Sequence, residues 1–258
     1  MKNIKIIVAA HKKYRMPEDK MYLPLQVGAH RKVNIGYQRD DIGINISEKN
    51  SSFSELTGLY WAWKNLEADY IGLAHYRRHF RGKKKEKDPF NCILTWKEAD
   101  KLLEDTDILV TKKRKYYIVN IYNHYANTLY IETLDKAKEI IESKYPDYMN
   151  TFNKCMKHSY MHAFNMFVMK KEILDEYCTW LFDVLFELED QLKDKKYNAF
   201  HARYPGRVAE LLLDVWLEEN GYPYKEVPFI YTEKINMIKK IVMFLKANLF
   251  KERYETSI

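Results

Sequence analysis

Glycine is scarce in this 258-residue chain: only eight occur, and none makes G-x-G-x-x-G or G-x-x-x-x-G-K-[ST]. The dinucleotide fingerprint and the P-loop are therefore absent, and a bound phosphate has to be held by side chains and helix N-termini. Cysteine is scarcer still. Cys92, Cys155 and Cys178 stand tens of residues apart with no C-x-x-C pair. That argues against a zinc knuckle, an iron–sulfur site and a disulfide framework, and reads as buried, reduced thiols in a cytoplasmic protein. The apolar run Ile4 to Ala10 is too short for a membrane span, and His11-Lys12-Lys13 is the wrong flank for a secretory signal. Disorder is excluded by what is present: 47% of the residues are hydrophobic and 15% aromatic.

Charge leans one way. Lys and Arg number 43 against 36 Asp and Glu, for a net charge of +7, which points to nucleic acid, nucleotide phosphates or an anionic membrane surface as partner. The basic residues are scattered among the acids, and no helix-turn-helix, zinc-finger or RNP signature appears, so no nucleic-acid partner is expected.

The hydrophobic pattern alternates. Strand patterns over Lys2 to Ala10, Tyr22 to Val27, Asp69 to Ala74, Asp107 to Val110, His162 to Met169 and Val227 to Tyr231 are separated by helical ones. The helical stretches begin at Ser54 as N-cap and continue over Asn120 to Tyr145, Asp147 to Lys157, Lys171 to Leu192 and Arg207 to Asn220, the last stopped by Gly221 and Pro223. This predicts an α/β fold, one domain over residues 1–232 with a mostly parallel sheet flanked by helices. Residues 233–258 read as a basic amphipathic helix, with Ile235, Ile238, Ile241, Val242, Leu245 and Leu249 at helical spacing among six Lys and Arg. Such a helix lies on an anionic bilayer or packs on the domain with a solvated basic face.

Chemistry-bearing residues gather where strands end. In AHYRRHF (Ala74 to Phe80), Arg77 and Arg78 follow an apolar strand and read as guanidinium forks for a pyrophosphate, or as surface charge paired with nearby acids. His75 reads as a packed, hydrogen-bonded histidine or as a catalyst. His11 opens the loop after the first strand, the edge where open α/β sheets bind ligands. His162 and Asn165 sit in an apolar strand pattern, where an amide either braces a loop or reads a hydroxyl-rich ligand. On the helix RVAELLLDVWLEEN, Arg207, Glu210, Asp214 and Glu218 share one stripe, which is either a solvated face or brings Glu210 to a cleft as general base.

Several blocks together carry a family likeness: DIGINISEKN (Asp41 to Asn50), ELTGLYWAWKN (Glu55 to Asn65), DYIGLAHYRRHF (Asp69 to Phe80), HAFNMFVMKKEILDEYCTWLF (His162 to Phe182) and RVAELLLDVWLEEN (Arg207 to Asn220). Over about residues 3 to 245 the chain resembles a bacterial family from capsular, exopolysaccharide and lipopolysaccharide gene clusters, long labelled a domain of unknown function and linked to glycosyl transfer, including galactofuranosyl transfer. The resemblance implies a GT-A-type, Rossmann-like glycosyltransferase. Its donor would be a UDP-sugar, with galactofuranose favoured, and its acceptor a polyprenyl-diphosphate-linked oligosaccharide. A cytoplasmic location is implied, peripheral at the inner membrane face. His75-Tyr76-Arg77-Arg78 would stand where many such enzymes place a metal-binding Asp-x-Asp, so no metal or other cofactor is expected. The implied roles are diphosphate binding for His11, Arg77 and Arg78, contacts to sugar or uridine hydroxyls for Asp40 or Asp41 and for Asn165, with His162 beside them in the donor site. Glu210 would be the base of an inverting displacement, and His75 a second catalytic group. Ile44 stands where relatives often carry an acid, which keeps a non-catalytic scaffold of a polysaccharide assembly complex as the alternative.

Overall fold

In the computed structural model, which describes residues 1–251, 253 and 254, the first apolar run forms strand β1 (Ile4–Ala10), buried at every position except Lys5. A strand buried on both faces needs covered neighbours, and β1 has them on either side. It pairs in parallel with β2 (Tyr22–Gln26) and with β4 (Tyr70–His75). The edge beyond β2 is the two-residue β3 (Gln38–Arg39). The tight hairpin partner of β4 is β5 (Arg78–Phe80), and β6 (Ile108–Thr111) lies further across the sheet. A separate two-stranded ladder joins β7 (Arg114–Lys115) to β8 (Tyr160–Met161). The main sheet is completed by β9 (Phe167–Lys170), β10 (Lys225–Val227) and β11 (Phe229–Tyr231). Its order is β10-β6-β9-β4-β1-β2-β3, with β5 pairing β4 and β11 pairing β5. The central pairs are parallel, and β9 runs antiparallel between β4 and β6. The expected mostly parallel α/β architecture is present.

Helices fill the connections: α1 (Asn50–Phe53), α2 (Leu56–Asn65), α3 (Trp96–Leu102), α4 (Ile121–Thr128), α5 (Ile131–Lys144), α6 (Met149–Lys157), α7 (Lys171–Gln191), α8 (Tyr204–Asn220) and α9 (Met237–Phe250). The helix α8 packs against α5 and α6. It buries Val208, Leu212, Val215 and Trp216, and each fully buried aliphatic side chain contributes roughly 1.5–3 kcal/mol. Gly221, left-handed at φ 65°, ends it as the sequence predicts.

The chain forms two units. One comprises residues 1–112, 164–179 and 222–233 and holds the main sheet; the other comprises residues 113–163, 180–221 and those from 234 onward. The segment of the predicted basic helix from residue 234 onward thus belongs to the second unit.

Three local expectations are corrected. Ser54 does not cap α2: it sits at φ 52°, ψ −128°, and Glu55 precedes the helix. The helix expected over 120–145 is two helices, α4 and α5, with Leu129 extended between them. The Thr128 hydroxyl takes the His124 carbonyl at 2.7 Å, a local bond that competes with helix continuation. The strand expected over His162 to Met169 is interrupted, because Phe164 (φ 77°) and Asn165 (φ 53°) are both left-handed. That pair re-aims the chain between β8 and β9.

Candidate functional site

Three loops leave the carboxyl ends of β1, β2 and β4 in the first unit, and each carries cations. His75 at the end of β4 pairs with Arg78 at the start of β5, so Tyr76 and Arg77 form the turn between them. Tyr76 stacks on Tyr14, from the loop after β1, at 3.9 Å between ring centroids, and His11 meets the Tyr76 ring edge-on at 5.3 Å. The Tyr37 hydroxyl fixes Tyr14, accepting from its N–H and donating to its carbonyl. His11 titrates below its ordinary value, from partial burial and then from Lys12, Arg77 and Lys32. The part of that depression contributed by the three cations reflects a positive field at this edge.

The two arginines differ. Arg77 Nε pairs with Glu233 at 2.8 Å, and both side chains are about half exposed, at 48% and 46%. Such a pair contributes little. Arg78 lies across the rings of Phe164 and Tyr231, with its guanidinium carbon 4.4 and 5.7 Å from their centroids. Its Nε is buried without a hydrogen-bond partner, and among the described residues no carboxylate pairs with it. A buried guanidinium nitrogen left in this condition is unfavourable unless an anion completes it.

Behind the arginines is a polar knot. His75 Nε2 lies 2.6 Å from the carbonyl of Phe164, and the Asn165 amide donates to Glu55 at 2.8 Å. Burial pulls the His75 pKa down, the Glu55 carboxylate opposes this, and Arg78 adds to the depression. The left-handed backbone of Phe164 and Asn165 thus serves to turn a carbonyl toward His75 and an amide toward Glu55. His79, the next residue along β5, is fully buried beside Tyr22 and Phe90, and burial drives its pKa to about 3.

The acids of the β2 loop are spent on structure. Asp40 is fully buried and accepts from the N–H groups of Gly28 (2.8 Å) and Ala29 (2.9 Å) and from the hydroxyls of Ser47 and Thr57. With both oxygens occupied it reaches no ligand hydroxyl, which corrects the sequence expectation; it holds the turn that presents His30 to Lys32. Gly28 is required there, since its φ is +60° and a Cβ would fall 2.3 Å from the Asn50 side chain. Asp41 forms a two-point pair with Arg39, at 2.9 and 2.6 Å, which holds its carboxyl below the usual range.

His162 and Glu210 belong to the second unit. His162 is buried, its Nδ1 hydrogen-bonded to Asp214 and its N–H donating to the other Asp214 oxygen at 2.9 Å. Glu218 pairs with Lys154 at 2.8 Å and lies near His158. The stripe on α8 is therefore not a solvated face: two of its acids are engaged by neighbouring elements. Glu210, half-buried, precedes Asp214 by one turn, and its charge reaches Tyr116, whose pKa rises to about 12 mainly through burial.

Residues 5–221 match the domain of unknown function DUF4422. The chain belongs to that family. Over 90% of its length it is also similar to the apo structure of WbbM, a bifunctional glycosyltransferase, with a TM-score of 0.83 and 32% sequence identity. The likeness covers 46% of that chain, so the present chain spans less than half of the protein it matches. No curated protein matches.

In this DUF4422 fold the turn after β4 offers no carboxylate to a hard divalent cation. Hard cations take oxygen ligands, and the positions there are histidine, tyrosine and two arginines. Among the described residues, ligand atoms of Cys155, His158 and Glu218 converge within 4.8 Å in the second unit. Glu218 is already bound to Lys154, and burial raises the Cys155 thiol to about 12, so it stays protonated. Sequence reasoning missed Glu55, Tyr14 and Tyr76, which meet their partners through contacts distant in the chain.

Proposed function

We propose that this chain is a glycosyltransferase that moves a sugar from a UDP-sugar to a glycan acceptor. The observation that carries the reading is Arg78, half-buried, with a buried Nε that has no hydrogen-bond partner and with no carboxylate paired to it among the described residues, at the carboxyl edge of a parallel sheet, where such folds take their ligands. Similarity to WbbM supports the reaction class. Galactofuranose is the favoured sugar and a lipid-linked capsular or lipopolysaccharide glycan the favoured acceptor, both from the family resemblance.

Arg78, Arg77 and His11 hold the diphosphate. The charge of the two guanidinium groups is fixed before reaction, so the negative charge that develops on the leaving group meets an oriented cationic field, with His11 beside it as a neutral hydrogen-bonding group. No metal is required in this account, because the guanidinium groups neutralise the diphosphate. Asn165, anchored on Glu55, and Asp41, oriented by Arg39, contact sugar or uridine hydroxyls. His75, kept neutral by burial and tied to the Phe164 carbonyl, orders the turn that carries both arginines. Glu210 takes the proton from the acceptor hydroxyl as its oxygen attacks the anomeric carbon. The bond from that carbon to the diphosphate oxygen breaks with inversion, and UDP leaves.

Assaying UDP release from a panel of nucleotide sugars, with and without EDTA, tests this reading. One UDP-sugar turning over in EDTA is expected, and Glu210→Gln is expected to abolish turnover with donor affinity held within a few-fold. Silence across the panel with bound UDP intact would favour the scaffold alternative. Unchanged turnover of Glu210→Gln would remove that residue from the mechanism.

A further inference from the structure

The helix α9 presents its apolar face outward. It rests on α4 of the same unit through Phe244, whose ring lies 5.5 Å from that of His124, through fully buried Ala247, and through Asn248, which faces His124. At 100° per residue those contacts define one side of the helix. On the flank next to those contacts Ile238, Ile241, Val242, Leu245 and Leu249 form one continuous strip turned to solvent, exposed by 76, 54, 45, 39 and 63%. Branched aliphatics at i, i+3, i+4, i+7 and i+11 ordinarily face a core. Here they face away from it.

A second exposed group lies alongside. Tyr116 stands 6.1 Å from Phe244, and the residues next to it, Tyr117 and Ile118, are exposed, as are Arg114 and Lys115. Between 234 and 254 the sequence carries six Lys and Arg and one Glu. The segment that carries the aliphatic strip is therefore strongly basic in sequence.

We propose that the α9 face is a docking surface for an anionic lipid bilayer, with the helix lying in the plane of the interface. Crossing is excluded by length: 14 residues give about 21 Å against roughly 30 Å of hydrocarbon. No described helix is long and apolar enough to span a membrane. Charge chooses between occupants. A second copy of the chain would bring two strongly basic segments together, whereas an anionic headgroup layer neutralises that charge while the acyl boundary covers the aliphatic strip. Residues 237–250 lie beyond the span 5–221 matched by the family, and the proposal does not depend on the catalytic reading.

The test is sedimentation of the full chain with vesicles of phosphatidylcholine alone and of phosphatidylcholine with phosphatidylglycerol. Binding is expected to rise about tenfold or more with the anionic lipid and to weaken with salt. The double variant I241S/L245S, whose side chains point away from the fold, is expected to lose about tenfold while keeping the parental melting curve. K246E/K251E, which leaves the aliphatic strip intact, is expected to lose the preference for anionic vesicles. A parent that stays in the supernatant with both vesicle types would overturn the proposal, as would undiminished binding of I241S/L245S. So would a lipid-free dimer abolished by that same pair, which would assign the face to a second copy.

Discussion

The carboxyl edge of the main sheet and the polar stripe of α8 hold charge in opposite ways. At the edge, one cation stays unmatched among the described residues: Arg77 meets Glu233, but Arg78 has a buried Nε with no hydrogen-bond partner, and His11 titrates low partly because Lys12, Arg77 and Lys32 surround it. On α8, acids sit against partners supplied by the rest of their unit, Asp214 with His162 and Glu218 with Lys154. A charge already satisfied by the protein holds the fold together. A charge left unsatisfied in a low-dielectric setting reduces stability and persists where a ligand completes it. The contrast separates residues that build the scaffold from residues that wait on it.

The largest expected effect tests the scaffold side. Asp214→Ala leaves the buried His162 without its acceptor, and a denaturant melt is expected to show a loss of about 3–5 kcal/mol, the range for breaking a buried pair. A loss under about 1 kcal/mol would put Asp214 with the waiting residues instead. Next come the two arginines. Arg78→Ala is expected to lower kcat/KM by about a hundredfold or more with stability unchanged or raised. Arg77→Ala, half exposed and already facing Glu233, is expected to lower it by about tenfold or less. Equal losses would erase the distinction between them.

Much of the frame was legible because buried parallel strands are continuous apolar runs. IKIIVAA, YIGLA and ILVT stand out for that reason and lie where the pattern puts them. The long helices α7 and α8 were legible from period, with Leu174, Tyr177, Cys178 and Leu181 falling on one buried face of α7. The arginine pair was also visible, as adjacent guanidinium groups after an apolar strand. What stayed hidden was non-local. A helical wheel puts Asp214 and Glu218 on one stripe but says nothing of what that stripe meets, so the buried partnership of Asp214 with His162 looked like solvated surface. Alternation over His162 to Met169 mimics a strand, and only the contacts of Phe164 and Asn165 with His75 and Glu55 reveal the left-handed break. Asp40 looked available because four donors from three separate segments converge on it only in the fold. The α9 pattern was read as amphipathic, yet which face would pack was not encoded in its period.

The central claim is that guanidinium groups at the β4–β5 turn hold a diphosphate that other enzymes leave to a metal. Calorimetric titration of UDP in EDTA, into the parent chain and into Arg78→Ala, measures this directly. The account predicts saturable binding by the parent without any divalent cation and a loss of about a hundredfold, or about 2.7 kcal/mol, in the variant. Superimposable isotherms, or parental binding that appears only when a divalent cation is restored, would contradict it.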